Sequence, residues 1–202
     1  MSTLYSVGQM NQLADALELA GFTPQDLSEL RNYPHWADIK AVLCGQAEIN
    51  YIQHLIDGDA DAFVPSYLSG VEYHKKLGQF KAELRTDGLY LNNRKIDLYL
   101  SKKQQKGKVI DGNELYKELS CKPVLNANIL DFLLKNPQLI PESWKQDENG
   151  TRYIYFWGTI YRDPAGFLSV RDLYWDGGRW QSHCHWLDFD WHDQSPAAVL
   201  AS

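Results

Sequence analysis

The sequence predicts an α+β protein, with helices first and a block of antiparallel strands after them. Three observations carry that expectation. Apolar residues recur at helical spacing near the start, two more amphipathic runs lie mid-chain, and aromatic, β-branched runs separated by DPAG and DGG turns fill the end.

Met10, Leu13, Ala14 and Leu17 repeat at helical spacing, and Gly21 is placed to stop that helix. TPQDLSEL supplies Thr23 as N-cap, Pro24 at the first helical position and Asp26 in the first turn. WADIKAVLCG is a third short helix ending at Gly45. Elements this short make a small helical module, residues 1–45, rather than a large core.

The second domain spans residues 46–202. EINYIQHLI is rich in β-formers and reads as a strand, with a helix as the alternative, and DGDADAFVP follows as a loop. Asp57, Asp59 and Asp61 resemble the start of a calcium loop, but the glycine and distal glutamate of an EF-hand are not at the required spacing. GNELYKELS and ANILDFLLK are helices, with Asn126 as cap of the second. After a break at PESWKQDENGT come the strands YIYFWGTIYR, FLSVRDLYW and RWQSHCHWL, and PAAVLAS closes the chain as a final strand.

The 202 residues can bury a sizeable core, and the net charge of -6 argues against nucleic acid as a partner, since phosphate binding needs a basic face. The one basic run, SKKQQKGK at 101–108, reads as a solvated loop. Cys44, Cys121 and Cys184 are odd in number, far apart and in no CxxC spacing, which suits a reducing compartment or a chain needing no disulfides. Neither a signal peptide nor an apolar run of membrane-spanning length is visible, so no membrane insertion and a cytoplasmic or phage-associated location are expected.

A compositional edge lies inside the second domain. Lys145, Glu148 and Asn149 are the last of their kinds, and none recurs from Gly150 onward, where tryptophan becomes dense. With 180–186 read as one strand, Trp180, Ser182, Cys184 and Trp186 line a core face, and Gln181, His183 and His185 form an outward polar row. Trp175, Trp180 and Trp186 read as core.

These residues carry a resemblance. The aromatic frame LYW…RW…WLD.DW…PAAVLAS, within the run from FWGTIYR to the end, is similar to the variable region of diversity-generating retroelement target proteins, and the resemblance extends more weakly back to about residue 57. The upstream run KPVLNANILDFLLKNPQLIPESWK resembles the segment before such regions in proteins of small-genome bacteria and their phages. It implies a C-type-lectin-like fold displaying a hypervariable surface, here about residues 163–195, and a retroelement that rewrites template adenines. An asparagine codon so rewritten becomes NNC, which cannot encode Lys, Glu, Gln, Met or Trp. Ser169, Asp172, Asp176, Gly177, Gly178, His183, His185, Phe189, His192, Asp193 and Ser195 are NNC-accessible; Gln181 and Gln194 are not, and need another template codon to belong to the set. The expected function is non-catalytic binding of a protein or other macromolecular surface through these residues, by rigid aromatic anchors and adaptable polar contacts, with no cofactor and no deep pocket.

The rival is a zinc-dependent hydrolase. His183 and His185 at i, i+2, with His192 or Asp193, could hold zinc, but no HExxH or CxxC frame accompanies them and no carboxylate base is evident. WHD at 191–193 resembles a lectin calcium motif without its partner triplet, and no GxSxG, P-loop or GxGxxG is present.

Overall fold

The structure, a computed structural model, describes residues 4–48, 54–147 and 150–201. Local chemistry sets the first helices. Ser6 caps α1 (Val7–Leu19), its hydroxyl accepting from the Gln9 N–H at 3.2 Å while the Gln9 side chain accepts from the Ser6 N–H at 2.9 Å. Thr23 and Asp26 repeat the device on α2 (Pro24–Arg31), and α3 (Trp36–Leu43) follows. Gly21 and Gly45 end two of these helices in left-handed conformation, φ 84° and 68°. None of the three helices contains a buried residue.

The chain divides into two compact units, Met1–Ile52 and Gln53–Ser202. The strand expected over 48–56 falls partly on 49–53, which lie outside the described residues; Leu55–Asp57 forms β1. In the second unit come β2 (Gly70–His74), β3 (Gln79–Arg85), β4 (Gly88–Leu91), β5 (Arg94–Tyr99) and β6 (Ile110–Asp111), then α4 (Gly112–Leu119) and α5 (Ala127–Lys135). Two short 3-10 turns lead to the hairpin of β7 (Gln146–Asp147) and β8 (Gly150–Thr151). The remainder holds β9 (Ile154–Tyr155), β10 (Thr159–Arg162), β11 (Leu168–Trp175), β12 (Trp180–Gln181), β13 (Cys184–Trp186), β14 (Asp190–Trp191) and β15 (Ala197–Leu200). The architecture is α+β: five α-helices and one large mixed sheet among the described residues.

The sheet runs β1-β3-β4-β5-β15-β9-β11-β10-β2, with β12 and β13 both paired to β11 off that path. The last strand sits in its middle, antiparallel to β5 and parallel to β9. That position explains why AAVL is apolar without alternation: all four residues are buried. One core cluster joins β3–β5, α5 and β15 around Leu89, Leu130, Phe156 and Leu173; another joins α4 to Trp157, Val170, Leu187 and Trp191. Gly112 lets the second close, because a Cβ there would lie 2.3 Å from Trp191 Nε1 and 2.4 Å from the Leu187 carbonyl.

Two local expectations are corrected. Asn126 occupies the N-cap position of α5 but does not cap with its side chain. Its Nδ2 donates to the Gly58 and Lys75 carbonyls, and the Thr159 hydroxyl, from β10, accepts from the Ala127 N–H at 2.9 Å instead. The basic run 101–108 is not wholly solvated: Ser101 and Gln104 are buried, and Gln104 Nε2 donates to the carbonyls of His192 (3.0 Å) and Ser195 (3.1 Å). The acidic loop uses two carboxylates on backbone, Asp57 accepting from the Asp59 N–H within the loop and Asp59 from the Gly78 N–H between β2 and β3. Among the described residues no helix is long and apolar enough to cross a membrane.

Candidate ligand-binding site

β11 is the platform. Five consecutive residues, Ser169 to Leu173, are buried, and the strand pairs with β9, β10, β12 and β13. Its tip is the turn at 176–179, where the Asp176 N–H donates to the Arg179 carbonyl and Gly177 takes φ 64°, a conformation open to glycine. Asp176, Gly177 and Gly178 are exposed there, and the Gln181 amide donates to the Asp176 carboxylate.

The expected single strand over 180–186 is broken in two. Between β12 and β13, the His183 carbonyl accepts from the Asp172 N–H (3.2 Å), while the Asp172 carboxylate accepts from the His183 N–H (2.6 Å). Past the break, Ser169 lies opposite Trp186, Val170 opposite His185 and Arg171 opposite Cys184. Side chains alternate, so Cys184 and Trp186 share a face with Ser169 and Arg171, and His185 shares the other with Val170. The expected opposition of histidine and cysteine faces holds, but the assignment of core to the tryptophan face does not hold throughout. Trp186 is 44% exposed, bonding Asp163 through its indole N–H (3.1 Å) and packing edge-on to Phe189. Trp175 and Trp180 are half-buried against each other, and the fully buried tryptophans are Trp157 and Trp191.

The thirteen candidate binding residues divide by burial. Asp176, Gly177, Gly178, His183, Phe189 and His192 are exposed; Gln181, His185, Asp193 and Gln194 are partly exposed. Ser169, Asp172 and Ser195 are buried, and each lines one of two hollows beside β13. Ser169 and Asp172 lie on opposite faces of the central strand, and Ser195 sits where Gln104 pins the backbone.

Two concavities flank β13. The larger, about 660 Å³, has Ser169 and Cys184 among its lining, with Tyr67, Trp186 and Phe189 as aromatic walls. The smaller, about 320 Å³, is lined by Tyr153, Tyr155, Asp172, Tyr174, His183, Cys184, His185, His192 and Ser195. Such concavity was not expected; it arises because the loop carrying Tyr67 stands beside β13, a long-range placement with no local sequence signal. Tyr67 and Asp163 are thus site residues that pattern reading missed.

Burial shapes the electrostatics. It pushes the Asp172 carboxyl up to about 6, against the His183 N–H and the Tyr155 hydroxyl, which favour the anion. Burial also raises the Cys184 thiol, 3.8 Å from the Tyr67 hydroxyl, so little nucleophilic thiolate forms at neutral pH. It lowers His185, whose ring packs on Tyr155, Phe189 and Trp191. His192 Nδ1 accepts from the Gln194 N–H at 3.3 Å. Among the described residues no three His, Cys, Asp or Glu side chains converge as a metal-holding group, so the arrangement does not assemble His183, His185 and His192. No family model, curated protein or solved structure matches this chain.

Proposed function

We propose that this is a non-catalytic ligand-binding protein that displays a hypervariable surface on a C-type-lectin-like domain, preceded by a small helical module. One observation carries the reading: exposed and half-exposed residues of 176–194 ring concave ground, while the strand beneath them is buried. His183, Phe189 and His192 are exposed, His185 is half-buried against Tyr155 and Trp191, and Trp157 and Trp191 hold that strand from below. The return of β15 to the sheet centre, beside β5 and β9, supports a lectin-like frame whose connecting segments are free to vary. The partner is a protein or other macromolecular surface that inserts a side chain into the hollow walled by Tyr67, Trp186 and Phe189. Neither nucleic acid nor a cofactor enters this reading.

A library test addresses it. Codons 183, 185, 189 and 192 are randomised as NNC, and members resistant to protease on a cell-surface display are counted. Most members are expected to remain folded, and a matched library at 169, 172 and 195 is expected to lose most of its members. Equal loss in both libraries contradicts a display role for the outer positions.

A further inference from the structure

We propose that the side chain accepted by the larger hollow beside β13 is an arginine of a partner protein. The proposal rests on the reading of this face as a binding surface and names the chemistry that the hollow selects. Three exposed aromatic residues, Tyr67, Trp186 and Phe189, stand in the lining of this space of about 660 Å³, and Asp163 stands beside them. No described lysine or arginine lines it. Aromatic walls with a carboxylate and no cation of their own are complementary to a guanidinium, which stacks on rings and pairs with carboxylates.

The carboxylate is built into the frame. Asp163 Oδ1 accepts from the Ala165 and Phe167 N–H groups, both at 2.9 Å, and so closes the turn after β10. Oδ2 accepts from the Trp186 indole N–H at 3.1 Å. A carboxylate offers about four lone-pair sites, so Oδ2 can take one donor more. The indole N–H bond lies in the plane of its ring, and the negative charge therefore sits at the edge of Trp186 without occupying a ring face. A cation over that face is drawn by the ring and by the charge at its edge together.

The neighbouring charges leave this carboxylate for a partner to meet. Arg162, next to it in sequence, is committed to Glu72 at 2.8 Å and to the Gly166 carbonyl at 2.7 Å. Arg171, on the strand face shared by Cys184 and Trp186, is paired with Asp131 at 2.8 Å. Burial lowers His185, which is uncharged at neutral pH. An anionic side chain is repelled by Asp163, and a neutral one gains aromatic contact alone. Tyr67, Asp163 and Trp186 stand outside the thirteen candidate variable positions, whereas His183, His185 and Phe189 belong to them. The hollow thus joins a fixed, cation-attracting wall to a variable one, so that diversified members share a basic anchor and differ in what surrounds it.

The test is an NMR titration of the full chain with three blocked tripeptides, each carrying arginine, citrulline or glutamate between two glycines. Citrulline keeps the length and shape of arginine without its charge. The arginine peptide is expected to shift the Trp186 indole N–H saturably, with Kd on the order of 1 mM for so small a probe. The citrulline and glutamate peptides are expected to bind at least fivefold more weakly. Asp163→Asn keeps an oxygen for the Ala165 and Phe167 N–H groups, and it is expected to weaken the arginine peptide at least fivefold and to close the gap to citrulline. Tyr67→Ala, at an exposed wall position, is expected to keep the native amide spectrum and to weaken both peptides. No saturable shift with the arginine peptide, equal affinity for citrulline, or unchanged arginine binding in both variants overturns the proposal. Failure here is distinct from failure of the display reading: a hollow indifferent to charge still serves display, whereas equal loss in the two NNC libraries removes the display face whatever the peptides do.

Discussion

Asp172 and the tryptophans show what parity alone misses. Strand alternation correctly opposed His185 to Cys184, but His183 falls in the break between β12 and β13, and burial of β11 on both faces leaves Ser169 and Asp172 only as lining of the hollows beside β13. Asp172 is instead an internal tie, and its raised pKa has a stability consequence. A carboxyl at about 6 when folded, against an ordinary 3.8, contributes stability that is fully present below 3.8 and is lost as pH rises through 6. The loss is roughly 3 kcal/mol over that window. Asp172→Asn keeps an oxygen for the His183 N–H, and urea midpoints at pH 4 and 7 are expected to show it gaining on the parent chain as pH rises. Equal pH dependence in both chains would contradict this. The tryptophans give a second contrast. Trp191→Ala, at 0% exposure, is expected to cost about 3–5 kcal/mol in a thermal melt, whereas Trp186→Ala is expected to cost less than about 1 kcal/mol. Both belong to similar aromatic runs, so the sequence could not separate them; the packing of α4 through Gly112 decides that Trp191 is the buried one.

At the scale of elements, periodicity located the α-helices, and Thr23, Pro24 and the stops at Gly21 and Gly45 act over a few residues, whereas the cap expected from Asn126 is supplied by Thr159 from a distant strand. The strands after residue 150 were legible as runs but not as units, and β2 to β5, residues 70–99, were not read at all. YIYFWGTIYR splits at Trp157–Gly158 and RWQSHCHWL at Ser182–His183, since pairing with a twisted neighbour, not β-propensity, sets where a ladder ends. The two-strand arrangement makes the outer residues separable from the frame. Replacing His183, Phe189 and His192 together by serine is expected to shift the melting free energy by less than about 1.5 kcal/mol, at about half a kcal/mol for each exposed position. Adding His185→Ser is expected to cost about another 1 kcal/mol, because its ring touches Tyr155 and Trp191. Circular-dichroism melts separate the two variants, and a triple variant that fails to fold removes the distinction between frame and display.

For the whole molecule, the α+β class was legible because helical and alternating periods occupy different parts of the chain. Sheet order was not, since the placement of β15 between β5 and β9 depends on contacts a hundred residues apart in one case and forty in the other. All buried hydrophobic residues among the described residues lie from Ile56 onward. Residues 53–202 alone are therefore expected to give a dispersed amide spectrum and a cooperative melt; a collapsed spectrum would show that the first unit is needed for folding. The central claim is diversification of an exposed ring on a fixed frame, and deep sequencing of the coding segment for 163–195 across the source population tests it most directly. The expected result is substitutions concentrated at codons 183, 185, 189 and 192, absent from Ser169, Asp172, Trp191 and Ser195, and matched by adenines in a near-copy template beside a reverse transcriptase. An invariant segment with no such template, or substitutions spread equally over buried and exposed codons, would contradict it.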